Sequence, residues 1–448
     1  MKDSSLDAMI LADIAVILLI GVVISPLRTR LRQPVVVGEI AAGLLLGPSL
    51  LGLLPGDLPG LLFPPQARPH LATVAQVGIA LFMFVTGWEL DFRPLRGRLR
   101  SVLTVTTASL AIPFTLAVAV SAALLAQRPA ATSPGTPAGV FAVFMGIVLS
   151  IGALSVLVRI IKENGLQHGR VGPLATACGA ITETIAWCSL VVLLTTTRGH
   201  GLSHCLQTVA QVLLYALVMA FGVRPLLRRF LHRFPHRDSQ GGHPLLLILV
   251  ISSGVLLSSC ATAWIGIHAV LGAFAFGLAM PRDLPPELRL SLEAPFQHTG
   301  ALLIPVFFAL TGLSVDITEL GPAGAIELAA FLFVACAGKY AGTLSGARLI
   351  GLPHQEASVL AALLNTKGLS EVIMLTIGRN AGIITGEVFT AMLLTALLAT
   401  TSVNPLVRVL TAASRTGGAR LPAQAAPTDP VNTGDERVAR TSPDEPAR

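Results

Sequence analysis

This chain is short of charge. Only 12% of its 448 residues are Asp, Glu, Lys or Arg, where a water-soluble domain carries roughly 25%. A soluble enzyme of this length needs a charged shell that the sequence does not supply. Cysteine is scarce too: Cys178, Cys188, Cys205, Cys260 and Cys336 are the whole set, with no close pairs. Such spacing indicates neither a disulfide framework nor a metal site. Missing as well are a Ser/His/Asp order, His-rich metal spacing and paired aspartates on facing apolar runs, so neither an enzymatic activity nor a cofactor is expected. The net charge of +7 would suit nucleic acid, but the basic residues sit in short stretches between apolar runs. That pattern reads as topology, and no nucleic-acid partner is expected.

What fills the chain instead is apolar sequence: 53% of residues are hydrophobic and the mean hydropathy is +0.74. Runs of about 18–25 residues with few charges are long enough to cross a bilayer. Thirteen occur, at approximately 8–25, 35–54, 71–92, 101–126, 138–160, 172–196, 205–224, 243–261, 264–281, 298–316, 323–347, 355–379 and 386–410. The fold class is therefore an all-α polytopic membrane protein of about 13 transmembrane helices. The first run has no basic n-region and is followed by arginines, so it reads as a retained helix rather than a signal peptide. Basic residues gather after the odd-numbered runs, while those after even-numbered runs are only Arg68, Arg128, Arg198 and Arg379. Basic loops mark the cytoplasmic side, which puts the N-terminus outside and the C-terminus inside. High Ala, Leu and Arg content with compact loops points to a bacterial plasma membrane. Residues 414–448 are rich in Pro, Ala, Thr, Asp and Arg and read as a disordered cytoplasmic tail, too short for a nucleotide-binding regulatory domain.

Two features inside the apolar runs carry chemistry. Glu183 lies close to the midpoint of the sixth run, where an ionisable group costs several kcal/mol and usually turns inward to a function. A buried carboxylate can hold a proton or a cation, and that is the role expected of it. The fifth run is interrupted by Ser150-Ile151-Gly152-Ala153-Leu154-Ser155, and the twelfth by Asn365-Thr366-Lys367-Gly368-Leu369-Ser370. Paired interruptions in two halves point to a transporter of inverted repeats with a midplane site. Small-residue helix packing is the plainer alternative, against which Lys367 inside the second break weighs.

Several stretches also resemble a known family. Gln33-Pro34-Val35-Val36-Val37-Gly38-Glu39-Ile40 through Gly47-Pro48-Ser49-Leu50-Leu51-Gly52 resembles the opening of the monovalent cation:proton antiporter-2 family. Gly78 through Asp91, Gly266 through Phe274, Pro305 through Leu313 and Asn365 through Glu371 continue the likeness in family order over roughly 8–410. The resemblance implies a thirteen-helix, inverted-repeat fold with two crossing discontinuous helices. It implies a core domain (about 101–196 and 323–410), a dimer domain (about 8–92 and 243–316), a linker helix (about 205–224) and a homodimer in the lipid bilayer. Members usually carry two adjacent Asp where Thr182 and Glu183 stand, and a Thr and a Pro where Gly152 and Ser155 stand. In relatives with two acids, a lysine at the position of Lys339 pairs with the first; Thr182 cannot be that partner.

The expected proton and cation site is thus Glu183 with Thr182 and Lys339, and the expected crossover contacts are Ser150, Ser155, Asn365, Thr366 and Lys367. A structural ion pair of Glu183 with Lys339 is the plainer alternative. Glu371 is expected to support the site by pairing with Lys367 one turn away. Glu39 either guards a funnel or anchors at the interface. His268 is expected to be a hydrogen-bonded helix residue, and Asp91 and Asp316 to be solvated. No metal is expected beyond the transported monovalent cation. These residues suit exchange of Na⁺ or K⁺ for protons, one for one with a single carboxylate. Alternatives are proton-coupled export of a small organic ion or ion-carrying metabolite, and a potassium efflux channel of Kef type, which the short tail disfavours.

Overall fold

The structure, a computed structural model, describes residues 2–31, 35–53, 55–56, 58–90, 99–128, 132–167, 169–197, 202–233 and 244–416. Among these there is no strand. In hydrocarbon, every backbone N–H and C=O must find its partner within the segment, and helices do that. In chain order the helices are α1 (Lys2–Leu31), α2 (Val35–Leu46), α3 (Leu58–Leu62), α4 (Arg68–Glu89), α5 (Leu99–Gln127), α6 (Ala138–Ser150), α7 (Leu154–Glu163), α8 (Val171–Thr197) and α9 (Leu202–Leu217). They continue with α10 (Arg224–Arg233), α11 (Pro244–Ile265), α12 (Ala269–Ala279), α13 (Pro286–Leu313), α14 (Gly321–Phe333), α15 (Lys339–Leu349), α16 (His354–Leu364), α17 (Leu369–Asn380) and α18 (Gly386–Thr416). Wide π-helical turns at Val218–Val223 and Val334–Gly338 join α9 to α10 and α14 to α15.

Among the described residues, ten helical segments are long and apolar enough to cross a membrane, and the bent pair α16–α17 makes eleven. The expected second and ninth spans fall on shorter apolar helices, Val37–Leu53 and Ala269–Ala279. Thirteen apolar runs therefore do not give thirteen helices of full spanning length. Residues 414–416 of the expected tail end α18, and 417–448 lie outside the described residues, as do Gln33, Pro34, Asp91 and the loop arginines Arg32, Arg93, Arg96, Arg98, Arg198 and Arg237.

Helices pack in two groups. In one, α4 lies against α12 and α13, α2 against α13, α11 against α12, and α1 against α2 and α13. In the other, α5 lies against α6, α8 and α15, α16 against α8, α15 and α18, and α14 against α18. Small residues permit the close approaches. A Cβ on Gly312 would fall 2.0 Å from the carbonyl carbon of Gly43, so α2 and α13 touch backbone to backbone. A Cβ on Gly342 of α15 would fall 2.5 Å from the Ala108 carbonyl oxygen of α5. The segment from α9 into α10 touches α8 on one side and α11 and α12 on the other. Its large apolar side chains, Leu213, Leu214 and Phe221 among them, face outward, as a lipid-facing helix requires.

At one end of the second group, Arg128 binds Glu327 at 2.6 Å and Glu387 at 3.0 Å, fastening the ends of α5, α14 and α18. Glu327 beside it holds the guanidinium above its ordinary range.

Candidate ion-binding site at two broken helices

The two interruptions read from the sequence are real breaks, and they meet. Helix α6 ends at Ser150, and α7 starts at Leu154 after the extended residues Ile151 and Ala153 flanking Gly152. Helix α16 ends at Leu364, and α17 starts at Leu369 with a bend of 45° between them. The Ala153 amide donates to the Thr366 carbonyl at 2.9 Å, tying one break to the other. Gly152 lets the breaks approach closely: a Cβ there would meet the Leu364 and Thr366 carbonyl oxygens at 3.0 and 3.3 Å. Gly368 is held closely too: a Cβ would meet Val156 Cγ2 at 2.8 Å and Ala153 Cβ at 2.9 Å.

Breaking two helices within their spans creates four helix ends there, and each end carries a partial charge, positive at N-termini and negative at C-termini. The side chains obey that rule. Glu183, on α8, is fully buried and sits at the two N-termini. Its Oε2 accepts from the Leu154 amide at 3.3 Å, the first residue of α7, and its Oε1 accepts from the Ser370 hydroxyl in the first turn of α17. The two lysines go to the opposite pole. Lys367 Nζ donates to the carbonyls of Val148 at 3.1 Å and Leu149 at 2.9 Å, the last turn of α6. Lys339 Nζ donates to the next carbonyl, that of Ser150. Three successive orphan carbonyls of α6 are thus met by two ammonium groups, which is how an interrupted helix can survive in a membrane interior.

The expected site residues therefore divide. Lys339 stands at the α6 carbonyls, so its hydrogen-bond partner is a backbone oxygen and not the Glu183 carboxylate. It follows directly on the π-helical turn Val334–Gly338, a distortion that often marks functional positions. Thr182 is buried, its hydroxyl has no hydrogen-bond partner, and it lines a narrow void with Lys339, Gly152 and Thr366. Ser150 offers its carbonyl to Lys339, while its hydroxyl returns to Ile147 of its own helix at 3.0 Å. Ser155 is half-buried on α7. The Thr366 hydroxyl bonds Leu363 at 2.5 Å, and its carbonyl makes the link to Ala153. Asn365 is buried with its Oδ1 unpartnered. Glu371 pairs with Lys367 at 3.2 Å, as the one-turn spacing suggests. Glu39 is half-buried on α2, away from the crossing. His268 caps α12 by accepting from the Val270 amide at 3.4 Å, and Asp316 is engaged with Thr318 at an exposed turn.

Ser370 and Thr400 were not singled out as site residues from sequence. Ser370 is the side-chain donor to Glu183, and its position two residues past the second break was a usable sign. Thr400, on α18, donates to the Lys367 carbonyl at 2.8 Å; no local pattern marks it.

A cavity of about 360 Å³ lies between the two helix groups. Its lining includes Gln76, His268 and Thr311 from one group and Ile373, Thr376 and Arg379 from the other. It lies toward the end of the molecule where α4 begins and α13 and α17 finish. There Arg379 donates to the Ser314 carbonyl at 3.0 Å, across from α17 to the end of α13.

This geometry can be set beside known proteins. The family model described as sodium/hydrogen exchanger, transmembrane, matches residues 14–409. The chain belongs to the sodium/hydrogen exchanger family. Within that family it is 34% identical to the Na(+)/H(+) antiporter NhaS4 of Synechocystis sp., over 90% of this chain and 98% of that one. It is 33% identical to Cation/H(+) antiporter 15 of Arabidopsis thaliana, covering 85% of this chain and 45% of the relative. It is 31% identical to the K(+)/H(+) antiporter 1 of Saccharomyces cerevisiae, covering 88% and 46%. The chain thus spans nearly all of the cyanobacterial relative and about half the length of the plant and yeast ones. Among solved structures, the sodium proton antiporter MjNhaP1 of Methanocaldococcus jannaschii at pH 8 superposes with a TM-score of 0.62. That match covers 92% of this chain and 97% of the other at 15% identity, a likeness of fold.

Proposed function

We propose that this chain exchanges a monovalent cation, Na⁺ or K⁺, for protons across a bilayer by alternating access, with Glu183 holding proton or cation in turn. The observation that carries the reading is the fully buried Glu183 carboxylate at the N-termini of two half-helices, where two broken helices meet. One carboxylate cannot hold both loads at once, and that exclusion couples the two fluxes. Hard alkali cations take oxygen ligands, which Glu183, the Thr182 hydroxyl and freed backbone carbonyls at the breaks supply. Either load cancels most of the carboxylate charge, so the loaded site crosses the membrane barrier at low cost, while the empty, charged site does not. The names of the relatives, sodium, potassium and unspecified cation antiporters, support the class and leave the ion open.

The moving parts follow the packing groups. We assign residues about 101–196 and 323–410 to a mobile core that carries the site, and about 8–92 and 243–316 to a static domain. The α9–α10 segment joins them. The cavity between the groups is the access route in this conformation. The outward apolar face of α1, with Leu11, Leu19 and Val23 exposed, suits a homodimer contact within the bilayer. The basic loops support an N-terminus outside and a C-terminus in the cytoplasm, and compact loops with high Ala, Leu and Arg content favour a bacterial plasma membrane.

A second reading has one observation in its favour. A cavity of about 360 Å³ is roomier than a bare alkali ion requires, and it would admit a small organic cation exported against protons. Both readings are tested together in proteoliposomes holding a pH gradient. Na⁺, K⁺ and Li⁺ added in turn should collapse the gradient under the leading reading, with choline inert. If no inorganic cation acts on folded protein, the organic exporter replaces it.

A further inference from the structure

Four charged side chains are buried to within 1% of complete exclusion at the crossing: Glu183, Glu371, Lys339 and Lys367. Buried charges persist only when paired, so the pairing pattern is informative. Glu183 is held by neutral donors, the Leu154 amide and the Ser370 hydroxyl. Neither lysine donates to it. Lys339 and Lys367 instead sit side by side on successive carbonyls of α6, close enough to act on each other electrostatically. Two like charges in a dry site call for an acid, and Thr182, which lines a void with Lys339, offers only a hydroxyl.

Glu371 is the acid at this cluster. Its Oε1 binds Lys367 at 3.2 Å, and Lys367 sits on the Leu149 carbonyl next to the Ser150 carbonyl that holds Lys339. Its Oε2 is buried with no hydrogen-bond partner, so the carboxylate is not consumed by other donors. The remaining titratable neighbours of Lys339 and Glu371, Cys178 and Cys336, supply no counter-charge as thiols. We propose that Glu371 is the shared counter-charge of Lys339 and Lys367, and that by offsetting part of their field at the crossing it sets the affinity of the Glu183 site for cations. Glu371 is a positioning and electrostatic residue here, since it touches the lysines and not the transported ion. The inference rests on Glu183 being the exchange carboxylate.

The consequence is specific. Without Glu371, the two ammonium groups face an incoming cation with one more uncompensated positive charge than before. At the separations of a helix crossing and an effective dielectric near 20, one charge shifts affinity by about tenfold or more. Glu371→Gln should therefore raise the apparent KM for the cation by about tenfold. A carboxylate placed at position 182 would enter the void shared with Lys339. Glu371→Gln combined with Thr182→Asp should thus bring KM back to within about threefold of the starting protein. The neutral Thr182→Asn in the same background should not.

The experiment is cation-driven dissipation of a pH gradient by the full chain in proteoliposomes, with sample dispersity measured for each variant. Rescue by Asp and not by Asn supports the proposal. An E371Q KM within about twofold of the starting protein would overturn it, as would equal behaviour of the Asp and Asn double variants. If E371Q alone fails to fold, recovery of folded, active protein by Thr182→Asp supports the shared counter-charge, and failure of that recovery overturns it. Glu183→Gln runs alongside: if that variant still exchanges, the reading of Glu183 fails independently of anything Glu371 does.

Discussion

Removing the Lys367 ammonium is the severest small change the crossing can suffer. In Lys367→Met the side chain keeps its length but loses three partners: the Val148 and Leu149 carbonyls and the Glu371 carboxylate. Breaking a buried ion pair by deleting one member costs about 3–5 kcal/mol, because the other charge stays buried. Each carbonyl left without a donor adds about 1–3 kcal/mol unless water reaches it. Lys339 remains nearby and can take part of the load, so a net loss of about 5 kcal/mol is the working figure. For a chain of this length, 1 kcal/mol moves Tm by about 1–2 °C, below the range of 150–250-residue proteins. The expected drop is therefore about 5–10 °C. It is read by thermal unfolding of detergent-purified protein at one fixed scan rate, since unfolding of such a protein is under kinetic control. Removing the stranded charge as well, in Lys367→Met with Glu371→Gln, should recover about half of the loss. If Lys367→Met melts within about 2 °C of the parent protein, the lysine is not holding the end of α6 and the description of the crossing is wrong.

Three further expectations follow from single contacts. Thr400→Val keeps the shape but leaves the Lys367 carbonyl without its donor; it should cost about 1–3 kcal/mol, seen as a lower Tm, and an unchanged Tm would show that the bond carries no weight. Gly312→Ala puts a methyl 2.0 Å from the Gly43 backbone; α2 and α13 must part, costing at least about 1–3 kcal/mol, whereas the same change at Gly139, with open space around it, should be nearly silent by the same melt. Asp283, between α12 and α13, binds Arg228 at 2.7 Å; burial pushes its carboxyl up, but its own backbone amide and Arg228 outweigh that and hold it below the ordinary range. Such a lowered group stabilises above its unfolded pKa and loses that contribution as pH falls through its folded value. Asp283→Asn should therefore cost under about 1 kcal/mol near neutrality, the pair being largely exposed, and the gap should close on acidification; a constant gap at all pH would contradict the ion-pair account.

Much of this arrangement is legible in the sequence because membrane insertion writes it in bulk hydrophobicity. Run length locates most of the helices but not the short α3 or the basic α10, and it does not separate full spans from the shorter apolar helices Val37–Leu53 and Ala269–Ala279, since both are simply apolar. The breaks were readable from Gly152 and Gly368 among polar residues, and the Lys367–Glu371 pair from its one-turn spacing. The destination of Lys339 was not. A pattern of side chains does not say which backbone carbonyls a broken helix will leave free, and those of Val148, Leu149 and Ser150 are what the two lysines found. Thr400 was hidden for the same reason, its acceptor being a main-chain oxygen more than thirty residues away in sequence.

The role of Glu183 is tested most directly by gradient dissipation in proteoliposomes carrying either the parent protein or Glu183→Gln, with Na⁺ and K⁺ added to a preset pH gradient. The parent should collapse the gradient with at least one of these ions and leave it intact with choline. The Glu183→Gln protein, equally folded and dispersed, should leave it intact with every ion. Continued cation-driven collapse by Glu183→Gln would contradict the account, because the shared proton and cation site would then lie elsewhere.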